Sequence, residues 1–163
     1  VHLLEGDKLS VSFGGLKAIS QVDFFVEEGE ILGLIGPNGA GKTTLFNLIS
    51  ASLVPKSGII TFKGKKITGL KPYQICRMGI SRTFQTVKIF GSITVLNNVR
   101  LAAIFGQAKQ PTETQATQEA GELLEFVGLS QWSHIPARGL TLANQKRLEV
   151  ARALAAKPEL LLL

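Results

Sequence analysis

The chain opens with two short stretches of alternating polarity. Leu9, Val11 and Phe13 alternate with Ser10 and Ser12. A period of two predicts a strand covered on one face. Gly14-Gly15 then turns the chain into a second strand carrying Ile19, Val22, Phe24 and Val26, which stops at Glu28-Gly29. Ile31-Leu32-Gly33-Leu34-Ile35 is nearly continuous apolar sequence, the pattern of a strand buried on both faces. It runs into a glycine-rich turn and a helix over about 42–51, with Leu45, Leu48, Ile49 and Ser52 on the inner face. Residues 58–62 read as a strand closed by Lys63-Gly64, and Pro72 opens a short helix that ends near Gly79. Residues 80–84 read as a short strand. From Thr94 the texture turns helical, with Val95, Val99 and Ala102 on one face, before a polar loop over 107–117. Two more helices follow, over 118–127, closed by Gly128, and over 143–156, with Leu148, Ala151 and Leu154 inward. The last residues, Leu160 to Leu163, read as an apolar strand. Strands and helices alternate early and late, around a helical block, which predicts an α/β fold.

Composition fits a globular domain. The 163 residues are 45% hydrophobic and 18% charged, enough to bury a core without cross-links. Cys76 is the single cysteine, so no intramolecular disulfide framework exists, and a reducing setting fits. No apolar run approaches membrane-span length, and the first residues lack the apolar stretch of a signal peptide. Cys76, Met78 and Trp132 are expected to be packing residues, His134 a surface or loop residue, and Lys63, Lys65 and Lys66 a solvated turn. Lys146, Arg147 and Arg152 are left open between a solvated face and a subunit contact.

Charge is uneven. The net charge is +6, and no acidic residue lies between Glu30 and Glu113, a stretch with eleven basic ones. Such a surface suits a polyanion, nucleic acid included, or simply solvent.

A smaller anion is indicated by one motif. Gly36-Pro37-Asn38-Gly39-Ala40-Gly41-Lys42-Thr43 fits G-x-x-x-x-G-K-[ST] at every fixed position. The flanking strand and helix supply the required context. Phosphate oxygens need several backbone N–H groups converging on one point. Glycines at 36, 39 and 41 let the chain wrap that way, and the helix N-terminus adds its positive dipole end. Lys42 is placed for the β and γ phosphates as a flexible point charge. Thr43 offers a hydroxyl to Mg²⁺, and Thr44 is placed to touch the α phosphate. The expected ligand is a nucleoside triphosphate with Mg²⁺. Hydrolysis further needs a carboxylate near the metal and a group that orients water. Asp7 and Asp23, the two aspartates, precede the phosphate loop and are poorly placed. The expected aspartate is the residue after Leu163.

The ordered motifs resemble the ATP-binding subunit of an ABC transporter, over the whole chain. Residues 36–44, GPNGAGKTT, resemble the Walker A form of that family. Phe84-Gln85 resembles its Q-loop, which implies that Gln85 approaches Mg²⁺ and the attacking water. Phe13 matches the aromatic that stacks on adenine. Residues 140–154, LTLANQKRLEVARAL, align without gaps to the signature segment LSGGQQQRVAIARAL. SFGGLKAI, SRTFQ, ITVLNNVRLA and RLEVARAL are similar to the subgroup that imports branched-chain amino acids. The resemblance departs from the family at Leu142 and Ala143, which stand where the signature has two glycines, while Thr141 keeps the hydroxyl. The Walker B aspartate, the catalytic glutamate and the switch histidine are expected beyond Leu163. Neither His2 nor His134 replaces that histidine by position.

The resemblance implies a P-loop NTPase core with an N-terminal antiparallel β subdomain and a helical subdomain: one partial ATPase domain divided at 1–85, 86–140 and 141–163. It implies ATP and Mg²⁺ as ligands, Lys42 and Gln85 as catalytic residues, and Thr43 and Gln85 at the metal. Phe13, Gly36, Pro37, Asn38, Gly39, Ala40, Gly41, Lys42, Thr43 and Thr44 would hold the nucleotide. Its partners would be integral membrane permease subunits and a second ATP-binding subunit, head to tail, without nucleic acid, on the cytoplasmic face of the membrane. The 163 residues alone are expected to bind ATP without turning it over. A soluble ABC-type ATPase acting on nucleic acid is the alternative function. A nucleotide kinase or GTPase is disfavoured by the Gln85 and signature-like segments.

Overall fold

A computed structural model describes residues 2–84 and 86–163. The chain forms two compact units, Val1–Ile75 and Cys76–Leu163.

In the first unit, β1 (Leu4–Phe13) and β2 (Leu16–Val26) form an antiparallel hairpin. Helix α1 follows at Lys42–Ile49, then β3 (Ser57–Phe62) and the two-residue β4 (Lys65–Lys66). The sheet order is β2-β1-β3-β4, antiparallel throughout. Leu4 pairs with Val26 on one side and Phe62 on the other, and all three are buried. Leu9, Val11 and Ile60 extend that covered face. Lys8 interrupts the pleat with a positive φ of 46°, where the ladder shifts register. Its amide donates to Asp23 Oδ1 at 2.6 Å, so the Asp23 carboxylate is engaged in fixing the irregularity. Gly58 crosses β1 so closely that a Cβ there would lie 2.5 Å from the Asp7 carbonyl oxygen. Only glycine permits that approach.

Residues 31–35 correct the sequence reading. They form no strand, and Ile31, Leu32, Leu34 and Ile35 are 100%, 55%, 42% and 93% exposed. A buried strand needs ladder partners at its edges and cover on its faces. In this unit the strands pair in the order β2-β1-β3-β4, and none of them pairs with residues 31–35.

Helix α2 (Pro72–Arg77) spans the division between the units. The second unit then has β5 (Ile80–Arg82), α3 (Val95–Gly106), α4 (Glu113–Phe126), α5 (Leu142–Ala155) and β6 (Leu160–Leu162). Strands β5 and β6 pair in parallel, Ile80 with Leu160 and Arg82 with Leu162. Three helices share one core of Val95, Val99, Ala103, Ala116, Ala120, Leu124, Leu148, Ala151 and Ala155. Ala103, not Ala102, completes the inner face of α3, and Ala155, not Leu154, is buried on α5. Helix α4 begins five residues before the expected start at 118, inside the polar segment read as a loop. Thr112 and Gln115 form a reciprocal capping box there, which satisfies amides that a polar helix start otherwise leaves open. His134 is exposed, as are Lys63, Lys65 and Lys66, while Trp132 packs against the helical core.

Candidate nucleotide-binding site

The phosphate-loop motif lies in the first unit, between the exposed 31–35 run and α1. Residues 36–40 are exposed. Gly41 is the N-cap of α1, with φ 88° and ψ 4°. A Cβ at this position would lie 2.7 Å from the Ala18 carbonyl oxygen, so both the dihedral and the space demand glycine. A glycine N-cap brings no side-chain acceptor to the first turn, and that turn holds no acidic residue. The first amides of a helix have no intrahelical partner. The terminus therefore presents donors and a positive dipole end without a built-in anion.

Lys42 folds over this loop. Its Nζ donates to the carbonyl oxygens of Gly36 at 2.5 Å and Pro37 at 2.8 Å. An ammonium has three donors, and these bonds hold the charge above the loop rather than out in bulk water. Ala40 N donates to Pro37 O at 3.2 Å, which closes the turn. Thr43 and Thr44 stand in the first turn of α1, Thr43 exposed and Thr44 half-buried. The structure thus gathers residues 36–44 at one helix terminus. Phe13 is on the same strand face as Leu9 and Val11 but sits at the hairpin tip, 52% exposed. Gln85 lies outside the described residues.

These residues fit a polyphosphate. The Lys42 ammonium stands over the loop, beside a helix terminus whose cap brings no side-chain acceptor. Among the described residues, no group of three or more His, Cys, Asp or Glu could hold a metal ion. A magnesium ion here would rest on the Thr43 hydroxyl and on phosphate oxygens, a donor set that suits this hard cation.

The signature-like segment lies in the second unit. Thr141 is the N-cap of α5, and its hydroxyl oxygen accepts from Asn144 N at 3.4 Å. Leu142 and Ala143 are exposed in the first helical turn. Further along α5, sequence reasoning missed a polar cluster. Glu149 is buried, and its Oε1 accepts from Lys88 N at 2.6 Å. Arg152 Nη1 donates to the Lys88 carbonyl oxygen, and its guanidinium lies over the Phe90 ring, 4.8 Å from the centroid. Burial pushes the Arg152 pKa down, and the charge of Glu149 opposes that shift. Asn98, fully buried on α3, accepts from Phe90 N at 2.9 Å and donates to Phe90 O at 3.0 Å. The available signal was a polar residue, Asn98 or Glu149, set among apolar neighbours on a helix.

The profile of the ABC transporter family matches residues 19–163. The chain belongs to that family. It is 39% identical over 173 aligned residues to LivG of Salmonella typhimurium, the high-affinity branched-chain amino acid transport ATP-binding protein, covering 99% of this chain and 68% of LivG. It is 37% identical to its counterpart BraF of Pseudomonas aeruginosa, at the same coverage. Among solved structures, the ATP-binding cassette MJ1267 of an ABC transporter matches with TM-score 0.86 and 33% identity, covering 99% of this chain and 68% of that one. The fold is thus that of an ABC cassette: a P-loop α/β core with antiparallel β and helical parts. These relatives are transport proteins, which gives the nucleic-acid alternative no support. Among the described residues no helix is long and apolar enough to cross a membrane.

Proposed function

We propose that this chain is the ATP-binding subunit of an ABC importer for branched-chain amino acids, and that its 163 residues form part of one ATPase domain. The carrying observation is the phosphate loop at residues 36–43, folded on the N-terminus of α1 with Lys42 over it. The solute class rests on LivG and BraF, whose names assign them to branched-chain amino acid transport.

In this reading the amides of residues 39–44 bind the β and γ phosphates of ATP. Lys42 exchanges its two carbonyl contacts for phosphate oxygens and neutralises charge that grows on the γ-phosphoryl group. Thr43 turns its hydroxyl oxygen to the metal, and Thr44 contacts the α phosphate. Magnesium, when bound, would supply further neutralisation of the phosphate charge. Phe13 offers its exposed ring to adenine. Gln85 orients the attacking water. A second ATP-binding subunit docks head to tail, so that Thr141 and the α5 terminus of one subunit face the γ-phosphate held by the other. The structure of the cassette MJ0796, dimeric and bound to ADP and Pi, lends support at 25% identity. The pair docks on the cytoplasmic face of the membrane, where integral membrane subunits convert its closure into transport.

The experiment is uptake of radiolabelled leucine, isoleucine and valine into ATP-loaded vesicles containing the intact transporter. Lys42-dependent uptake of these amino acids supports the reading. Lys42-dependent uptake of a different solute, with none of these, overturns the assignment.

A further inference from the structure

The basic stretch between Glu30 and Glu113 has one exposed concentration that the phosphate loop does not use. Strands β3 and β4 are joined by Lys63-Gly64, and β4 itself is Lys65-Lys66. All three lysines are exposed. The hairpin carries them on a fixed backbone. Lys63 N donates to Leu3 O at 2.8 Å, Ile67 N to Ile60 O at 2.9 Å, and Ile60 N to Thr68 Oγ1 at 2.7 Å. Phe62 and Lys65 pair across a two-residue loop, Lys63 and Gly64, whose φ values are 52° and 71°. Positive φ at both positions marks a type I′ turn, which Asn-Gly fills best. Lysine is a strained choice at the first of them. What it adds there is a charge at the tip.

Among the described residues no ion pair engages Lys65, Lys66 or Lys71. In the pairing, Glu5 stands across Thr61 from Lys66, two strand spacings or about 10 Å away. After β4 the chain turns, with Leu70 N donating to Ile67 O at 3.1 Å, and exposes Lys71 and Tyr73 at the start of α2. The cations here are all lysines. An ammonium is a flexible point charge, suited to a field of mobile anionic headgroups. A single fixed anion is better held by the planar fork of arginine. Tyr73, 55% exposed, adds the amphipathic ring that favours the headgroup level of a bilayer.

We propose that the β3–β4 hairpin, with Lys63, Lys65 and Lys66 and followed by Lys71 and Tyr73, is a docking surface for anionic lipid headgroups. Each lysine brought to such a surface raises affinity about fivefold. The tight turn presents three of them without a loop to be ordered on binding. The inference goes beyond the proposed function and rests on it in one respect, since that reading brings the subunit to a membrane face. The hairpin then supplies an attachment of its own, separate from the integral membrane subunits.

The test is sedimentation of the full chain with protein-free vesicles, of phosphatidylcholine alone or mixed with phosphatidylglycerol. Wild type is expected to bind the mixed vesicles and to lose affinity as salt rises. Combining Lys63→Asn, Lys65→Gln and Lys66→Gln is expected to weaken binding about a hundredfold. Lys63→Asn alone should bind about fivefold more weakly yet unfold at a higher urea concentration, because asparagine suits the turn. A folding defect would move stability and binding down together. Combining Lys17→Gln, Lys109→Gln and Lys146→Gln removes the same charge from other exposed positions and should keep most of the binding. Equal weakening by the two triple variants, equal binding to pure phosphatidylcholine, no binding to either vesicle, or hairpin-dependent binding to duplex DNA in place of vesicles overturns the proposal. Amino-acid uptake that does not depend on Lys42 would instead refute the proposed function and leave the vesicle result standing.

Discussion

At the scale of the residue, the phosphate loop is pinned at its junction with α1. Gly41 combines a left-handed dihedral with an approach to the Ala18 carbonyl that excludes any side chain. Gly41→Ala is expected to cost about 1–3 kcal/mol of stability through backbone strain and to weaken nucleotide binding, read by urea denaturation and by titration with a fluorescent ATP analogue. A variant as stable and as tight as wild type would contradict the geometry. The signature-like turn makes the opposite prediction. Leu142 and Ala143 stand in the first turn of α5, where the family signature has glycines. Ala143→Gly removes a methyl from the turn that faces phosphate in the proposed dimer. Turnover in the assembled transporter is expected to rise by about tenfold, equivalent to about 1.4 kcal/mol of barrier. An unchanged or lower rate would show that the methyl does not hinder the contact. The motif was legible in sequence because its chemistry depends on residue type at fixed spacing. Asn98, Glu149 and Arg152 were not, because their partners are backbone atoms of residues 88 and 90. Backbone acceptors and donors leave no trace in residue identity.

At the scale of the element, caps decided what periodicity could not. The segment 107–117 has the polarity of a loop, but Thr112 and Gln115 start α4 within it. Thr112→Ala is expected to cost about 1 kcal/mol, seen as a lower denaturation midpoint with the same slope. Thr112→Ser should cost much less. A polar tie nearby joins the ends of α3 and α5 to the middle of α4. Gln107 Nε2 donates to Glu119 Oε2 and to Ala155 O, and Lys157 Nζ pairs with Glu119 Oε1 at 2.5 Å. Burial pushes the Glu119 carboxyl up, but the bonds from Lys157 and Gln107 outweigh it and leave its pKa below the ordinary 4.5. A carboxylate with a depressed pKa stabilises the fold above its unfolded value and loses that contribution as pH falls through its folded one. Glu119→Gln is therefore expected to cost up to about 1 kcal/mol at pH 7, limited by solvent screening at Lys157. The difference from wild type should shrink as pH drops below 4.5. Denaturation at a series of pH values checks the sign, and a gap that widens in acid would contradict it. The apolar run 31–35 marks the limit of element-level reading. Its residues announce a strand that needs cover, but pattern does not say which segment supplies that cover. Among the described residues no strand pairs with it.

At the scale of the whole molecule, each unit carries one helix terminus that the proposed function places at phosphate. The first has α1 with its glycine cap and Lys42, the second has α5 with Thr141. The alternation of strands and helices was enough to read the fold class, since the three helices of the second unit bury a shared core of small and branched side chains. Leu148 is fully buried in that core. Leu148→Ala is expected to cost about 2–5 kcal/mol, and a loss below about 1 kcal/mol would contradict its central place. The division into units at Ile75 was less legible, because residues 72–77 form one continuous helix across it.

The central claim is that residues 36–44 hold a nucleoside triphosphate through Lys42 and the amides of α1. Equilibrium titration of wild type and Lys42→Ala with a fluorescent ATP analogue, with magnesium and at fixed ionic strength, tests it most directly. The account predicts saturable binding by wild type and an affinity at least about tenfold weaker, or about 1.4 kcal/mol, for Lys42→Ala of matched stability. Equal affinity of the two proteins, or no binding by either, would contradict it.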